Sequence, residues 1–152
     1  MRGFRIVCVG KIKEDYFRKG LAYYRKEIGK SFPIEIIECI DEPTPEKASK
    51  AQESEIQRVE GQRILQKIKE EDHVIALCID GKHYNTEKWI AHVRRQMEGI
   101  SGDMVFVIGG SLGLSEEVRK RADEKLSFSA MTFPHQMMRM ILCEQIARVL
   151  SH

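Results

Sequence analysis

Two stretches of this chain carry residue types suited to chemistry. The first is IGGSLGLS, residues 108–115. Gly109, Gly110 and Gly113 free the backbone to take positive φ and to approach a ligand closely. Ser115, followed by Glu116 and Glu117, marks a helix start whose first N–H groups are available donors. Gly109 and Gly110 are adjacent, so this is not a dinucleotide-binding fingerprint. No Gly-Lys-Ser/Thr follows, so it is not a P-loop. A tight strand-to-helix turn with no ligand uses the same residues. The second stretch is SFSAMTFPHQMMR, residues 127–139, which is too apolar for an ordinary exposed loop. A ligand can lie against Met131 and Phe133 while backbone groups read its polar edge. His135 is of a type that serves as a base, an RNA contact or a helix cap. Arg139 and Arg148 suit phosphate or carboxylate partners, and Glu144 lies further along the same stretch. A third loop, IDGKHYN (residues 79–85), also follows an apolar run.

These loops need elements to hold them. Short apolar runs predict strands over residues 4–10, 34–40, 73–80 and 104–110, with LSFSAMTF as a fifth strand or extended loop. Between them lie amphipathic stretches. Residues 13–30 place Phe17, Leu21, Tyr24 and Ile28 on one helical face. Residues 45–70 read as a helix with Gly61 as its weak point. Asp80-Gly81-Lys82 reads as a turn, after which Thr86 caps a helix carrying Trp89, Ile90, Val93 and Met97. Ser115 opens another helix, and Pro134 starts a last one with Met138, Ile141, Leu142, Ile146 and Val149 as its apolar stripe. Alternating strand and helix, with strands apolar on both faces, predicts an α/β fold with a mostly parallel sheet flanked by helices. The whole chain, residues 1–152, reads as one domain, and in such sheets ligands bind beyond the carboxyl ends of the strands.

Composition sets outer bounds. Apolar residues make up 42% and charged residues 32%, with a net charge of +2, as in ordinary globular chains. No apolar run approaches the roughly 18–20 residues that span a bilayer. The apolar run after Met1 is short and lacks a cleavage site, which favours a strand over a signal peptide. Residues 1–30 hold nine Lys or Arg against three acids, a local excess of six that suits phosphates or a solvated helix face. Cys8, Cys39, Cys78 and Cys143 form no CxxC. They read as buried reduced thiols in a reducing cytoplasm.

Taken together, FVIGGSLGLSEEV (residues 106–118) and LSFSAMTFPHQMMRMILCEQIAR (residues 126–148) resemble the signature of the ribosomal RNA large-subunit methyltransferase H family of SPOUT enzymes. The opening RIVCVGKIK and the ALCIDGK segment agree, so the resemblance covers nearly the whole chain. It implies an α/β fold with a C-terminal trefoil knot, and transfer of a methyl group from S-adenosylmethionine to N3 of a pseudouridine in 23S rRNA. It implies cofactor contacts at Leu77, Gly110, Ser129, Ala130, Met131, Thr132, Phe133 and Pro134. His135 becomes the candidate base, and Arg139 the candidate stabiliser of charge on the target base. Glu144 and Arg148 are placed toward the RNA, and Gly110→Val is expected to obstruct the cofactor.

The resemblance further implies a homodimer paired through helices beside the knot, the Met-rich last helix offering surface, with no membrane partner and a cytoplasmic location. Family members continue into a short tail ending in a Tyr-His pair, whereas this sequence reads EQIARVLSH, with Ala147 where Tyr is common. That difference implies normal cofactor affinity with weak methyl transfer, and an end, residues 150–152, that orders only on docking. The alternative is a knotted homodimer that binds S-adenosylmethionine or RNA with little or no turnover. A flavodoxin-like nucleotide-binding protein is the third reading.

Overall fold

The computed structural model describes residues 1–151. Ten elements alternate along the chain: β1 (Phe4–Val9), α1 (Asp15–Gly29), β2 (Ile34–Cys39), α2 (Lys50–Leu65), β3 (His73–His83), α3 (Thr86–Gly99), β4 (Met104–Ile108), α4 (Glu116–Arg121), β5 (Glu124–Ser127) and α5 (His135–Leu150). The strands form one five-stranded sheet in the order β2-β1-β4-β3-β5, and every pairing is parallel. The period-two alternation of each strand divides the core between the two faces. Phe4, Ile6, Cys8 and Phe106 pack with Phe17, Leu21, Trp89, Val93, Leu142 and Ile146 from α1, α3 and α5. Val7, Val9, Val105 and Val107 pack with Ile64 and Val118 from α2 and α4. No described helix is long and apolar enough to cross a membrane.

Several boundaries differ from expectation, each for an identifiable structural reason. Helix α2 is shorter than residues 45–70, because Ser49 closes a capping box with Gln52 and starts the helix there. Gly61 is no break. It lies buried mid-helix against Ser115 and Val118, where a side chain has no room. The helix after β3 is capped by Asn85, whose side chain accepts from Lys88 N at 2.8 Å, rather than by Thr86. Strand β3 continues through Asp80-Gly81-Lys82 instead of turning. Leu77 and Lys82 both pair with Leu126, so the residues between them bulge, and a Cβ on Gly81 would come within 2.7 Å of the Leu126 carbonyl carbon. Leu150 completes α5, and Arg94 donates to Val149 O at 2.9 Å and Ser151 O at 2.7 Å, so these positions are held without a docked partner. His152 lies outside the described residues.

Polar networks hold the amino end and the edge of the sheet. Arg5, 5% exposed, donates to Asp72 and Asp103, each at 2.6 Å, and so ties β1 to the segments leading into β3 and β4. Glu124 opens the edge strand β5 and accepts from His73 at 2.7 Å, His92 at 2.5 Å and Gln96 at 2.5 Å. Burial works to raise the Glu124 pKa, but those three bonds outweigh it and hold the carboxyl at about 2. The same bond raises the His73 pKa.

Glu124 is depressed from 4.5, so its contribution is complete above that value and is lost as pH falls toward about 2. His73 is raised, so its contribution is complete below 6.5 and fades as pH climbs through its folded value. Thermal unfolding should therefore show greatest stability between these limits, with losses on both sides. Glu124→Gln should flatten both limbs, and an unchanged pH profile in that variant would count against the network.

Candidate active site

The carboxyl ends of β3, β4 and β5 enclose a cavity of about 340 Å³. One wall is the loop after β4. Gly110 and Gly113 form an isolated antiparallel bridge, Gly113 N donates to Gly110 O at 3.0 Å, and Gly113 takes φ +82°, which favours glycine. The Gln57 side chain on α2 donates to Leu112 O, and the Ser115 side chain accepts from Val118 N at 3.3 Å, so the loop is anchored from α2 and by its own helix cap. The other wall is the loop after β5. The Ser127 hydroxyl donates to Ser129 O at 3.1 Å, and the Ser129 hydroxyl accepts from Met131 N at 3.0 Å, a self-contained turn that spares this apolar segment a conventional strand. Met131 and Phe133 remain exposed, at 72% and 38%, beside the cavity.

Leu77, Gly110, Ser129, Met131, Thr132, Phe133 and His135 line this cavity together. Ala130 and Pro134 belong to the same loop but are not among the lining residues, and Pro134 instead occupies the N-cap position of α5. Cys78, Ile79, Phe128 and Met138, which were not assigned as cofactor contacts from the sequence, also line the cavity. Their signal was adjacency: Cys78 and Phe128 flank assigned residues, Ile79 lies two positions from Leu77, and Met138 follows His135 at helical spacing. Cys78 is only half-buried, unlike the other three cysteines, and burial raises its thiol pKa.

Gly110 is small for a different reason from the one expected. A Cβ there would point away from the cavity, 3.2 Å from Glu60 Oε1 and 3.3 Å from Val9 Cγ1. Gly110→Val would crowd the sheet and α2 and is not a direct probe of the ligand. Gly109 carries the tighter constraint, since its Cβ would fall 2.8 Å from the Gly113 carbonyl carbon.

His135 and Arg139 share a face of α5 but occupy different surroundings. His135 is half-buried on the cavity wall. Burial lowers its pKa, the nearby Arg139 charge lowers it further, and Asp41 opposes them. Its imidazole is therefore neutral near neutral pH. Arg139 was expected to face the substrate, but it is 0% exposed and does not line the cavity. Its guanidinium donates to Val9 O at 2.7 Å, Gly10 O at 2.9 Å and Glu38 Oε2 at 2.9 Å. Its Nε is buried without a partner. Arg148 forms an i,i+4 ion pair with Glu144 at 2.6 Å on another face of the helix.

A parallel α/β sheet whose ligand-sized cavity is built from two loops at its carboxyl edge has the architecture of α/β proteins that bind a small molecule there. A family model described as predicted SPOUT methyltransferase matches residues 2–151. The chain is 48% identical over 144 residues to ribosomal RNA large subunit methyltransferase H of Lactiplantibacillus plantarum, covering 95% of this chain and 91% of that one. It is 46% identical over 144 residues to the protein of the same name from Streptococcus thermophilus, with coverage of 95% and 91%. A third, from Limosilactobacillus reuteri, is 46% identical over 147 residues, with coverage of 97% and 92%. The chain belongs to the SPOUT methyltransferase family, alongside these large-subunit methyltransferases, and it is a methyltransferase.

The glycine geometry orders two substitutions. Gly109→Ala meets backbone and should cost roughly 2–3 kcal/mol, whereas Gly110→Ala meets side chains that can shift and should cost about 1 kcal/mol or less. Chemical denaturation of the two variants checks this, and the reverse order would overturn the packing described here.

Proposed function

We propose that this chain methylates N3 of a pseudouridine in 23S rRNA of the large ribosomal subunit, using S-adenosylmethionine bound in the cavity between the 109–114 and 128–134 loops. The observation that carries this reading is the cavity, in which the Gly-rich loop, an exposed apolar loop and His135 converge. Its volume of about 340 Å³ suits a small ligand, with backbone groups of both loops at its rim and Leu77, Ile108 and Leu126 in its wall. Leu77, Gly110, Ser129, Met131, Thr132 and Phe133 would hold the donor, with Ala130 and Pro134 shaping the loop. Bound there, it supplies a methyl group on a sulfonium whose departure leaves a neutral thioether.

The protein's own tasks are positioning and proton removal. The two loops would hold the donor and orient it toward the target nitrogen. Met131 and Phe133 keep water from the reacting atoms. His135, unprotonated at working pH, accepts the imide proton from N3. Arg139 acts through His135 as a positioning residue: it fixes the first turns of α5, and its charge favours the neutral imidazole.

The same reading includes a trefoil knot, a homodimer and a cytoplasmic location. The knot rests on membership of the SPOUT family, with which the path of the chain is compatible. From β5, at one edge of the sheet, residues 128–134 must cross the ends of β3 and β4 before Arg139 can meet β1. For the dimer, Met137, Met138 and Met140 are partly buried against the protein's own core and are not a free surface. The face shared by α1 and α5 is the better candidate, where exposed Tyr23 adjoins Tyr24, Ala147 and Leu150.

His135→Gln should reduce methyl transfer to ribosomes by about 100-fold or more, with S-adenosylmethionine affinity by calorimetry largely retained. In the unaltered protein the acid limb of kcat/KM should fall below pH 6.5, the ordinary histidine value. Undiminished turnover in the variant would remove His135 from the chemistry. Sedimentation should show a dimer that Tyr23→Glu dissociates, and a monomer at micromolar concentration would exclude the pairing.

A further inference from the structure

The positive excess of residues 1–30 does not form one face. Arg5 is neutralised at the amino end of the sheet by Asp72 and Asp103, and Lys30 pairs with Glu27. Three other cations converge on one cleft. Arg18 and Arg25 lie two turns apart on one stripe of α1, and with Lys11 they line a cavity of about 320 Å³ floored by Leu21, Ala22 and Ile36. Arg18 is partly occupied, donating to Ile12 O at 3.0 and 2.8 Å and lying 3.6 Å from Asp15. Among the described residues, Lys11 and Arg25 have no acidic group within 4.0 Å. The one carboxylate in the cleft, Glu38, is committed to Arg139 and to Ile12 N at 2.9 and 3.1 Å. The cleft is therefore an electropositive concavity, two of whose three cations, Lys11 and Arg25, lack counterions.

Its position selects the anion. The segment joining the cleft to the candidate active site is Gly10-Lys11-Ile12. Gly10 takes φ +85°, and a Cβ there would lie 3.9 Å from His135 Nε2. Lys13 N donates to the Gln136 side chain at 3.2 Å, tying the same loop to α5. An anion held by Lys11 and Arg25 thus sits one loop's width from the proposed base. Cations over an apolar floor suit a phosphodiester with its sugar better than a compact, fully hydrated ion. We propose that the cleft of Lys11, Arg18 and Arg25 holds a backbone phosphate of the RNA substrate flanking the target nucleotide. This rests on the rRNA reading given above.

The test compares two charge-matched double variants binding to large ribosomal subunits that lack the methyl group. Lys11→Gln with Arg25→Gln empties the cleft but leaves Arg18 to hold the loop. Lys19→Gln with Lys26→Gln removes the same charge from an exposed stripe of α1. The cleft variant should bind RNA more weakly, with a salt dependence of log affinity shallower by about one, and should keep its S-adenosylmethionine affinity. The control pair should change the slope far less. Equal losses in the two variants, or an unaltered slope in the cleft variant, overturn the proposal. If the unaltered protein shows the cleft-dependent slope but transfers no methyl group, the functional reading falls and the cleft stands. If it binds no RNA, both fall.

Discussion

The structure turns on one buried charge. Arg139 sits at 0% exposure, and moving a guanidinium out of water costs several kcal/mol unless its donors are met. The partners it finds are fixed points: the last carbonyl of β1, the carbonyl of Gly10, and Glu38 on the neighbouring strand. The contact therefore does more than neutralise a charge. It brings the start of α5, which follows the strand at one edge of the sheet, to the carboxyl ends of strands nearer the other edge. The 128–134 loop must span that distance, and in doing so it closes the cavity over β3 and β4.

The consequence reaches the cavity wall through His135, one turn earlier on the same helix. Burial and the Arg139 charge push its pKa the same way. A packing anchor and an electrostatic control are thus supplied by one side chain. Glu38 balances that charge and also accepts from Ile12 N, so the loop leading to the basic cleft hangs from the same carboxylate. The candidate cavity, His135 and the basic cleft share one set of supports.

The two ends of the sheet divide the work. At the amino end, the hydrogen bonds of Arg5 leave little unsatisfied. At the β5 edge, Glu124 gathers His73, His92 and Gln96, pinning the shortest strand to β3 and α3. With these parts held, the carboxyl end can keep exposed apolar side chains such as Met131 and an orphaned donor on Arg139.

The sequence by itself determined the order of elements, the parallel sheet and the two loops that carry the site. Those follow from short-range rules: apolar strands covered on both faces, amphipathic helices between them, glycines where a backbone must turn, and a motif pair of known family type. The sequence was misread wherever a residue's meaning depended on a distant neighbour. Gly61 looked like a helix break until Ser115 and Val118 were seen packed against it. Asp80-Gly81-Lys82 looked like a turn, but a parallel partner, Leu126, made it a bulge within a strand. Gly110 lines the cavity to which it was assigned, but what its missing side chain makes room for is Val9 and Glu60, which the sequence did not show. Arg139 was read as a contact for substrate, and nothing in its local sequence shows that the chain folds it beneath the end of β1. Periodicity records which side of an element is apolar, but a buried charge is defined by its acceptors. Here those acceptors lie more than 100 residues away, so only the tertiary structure could name them.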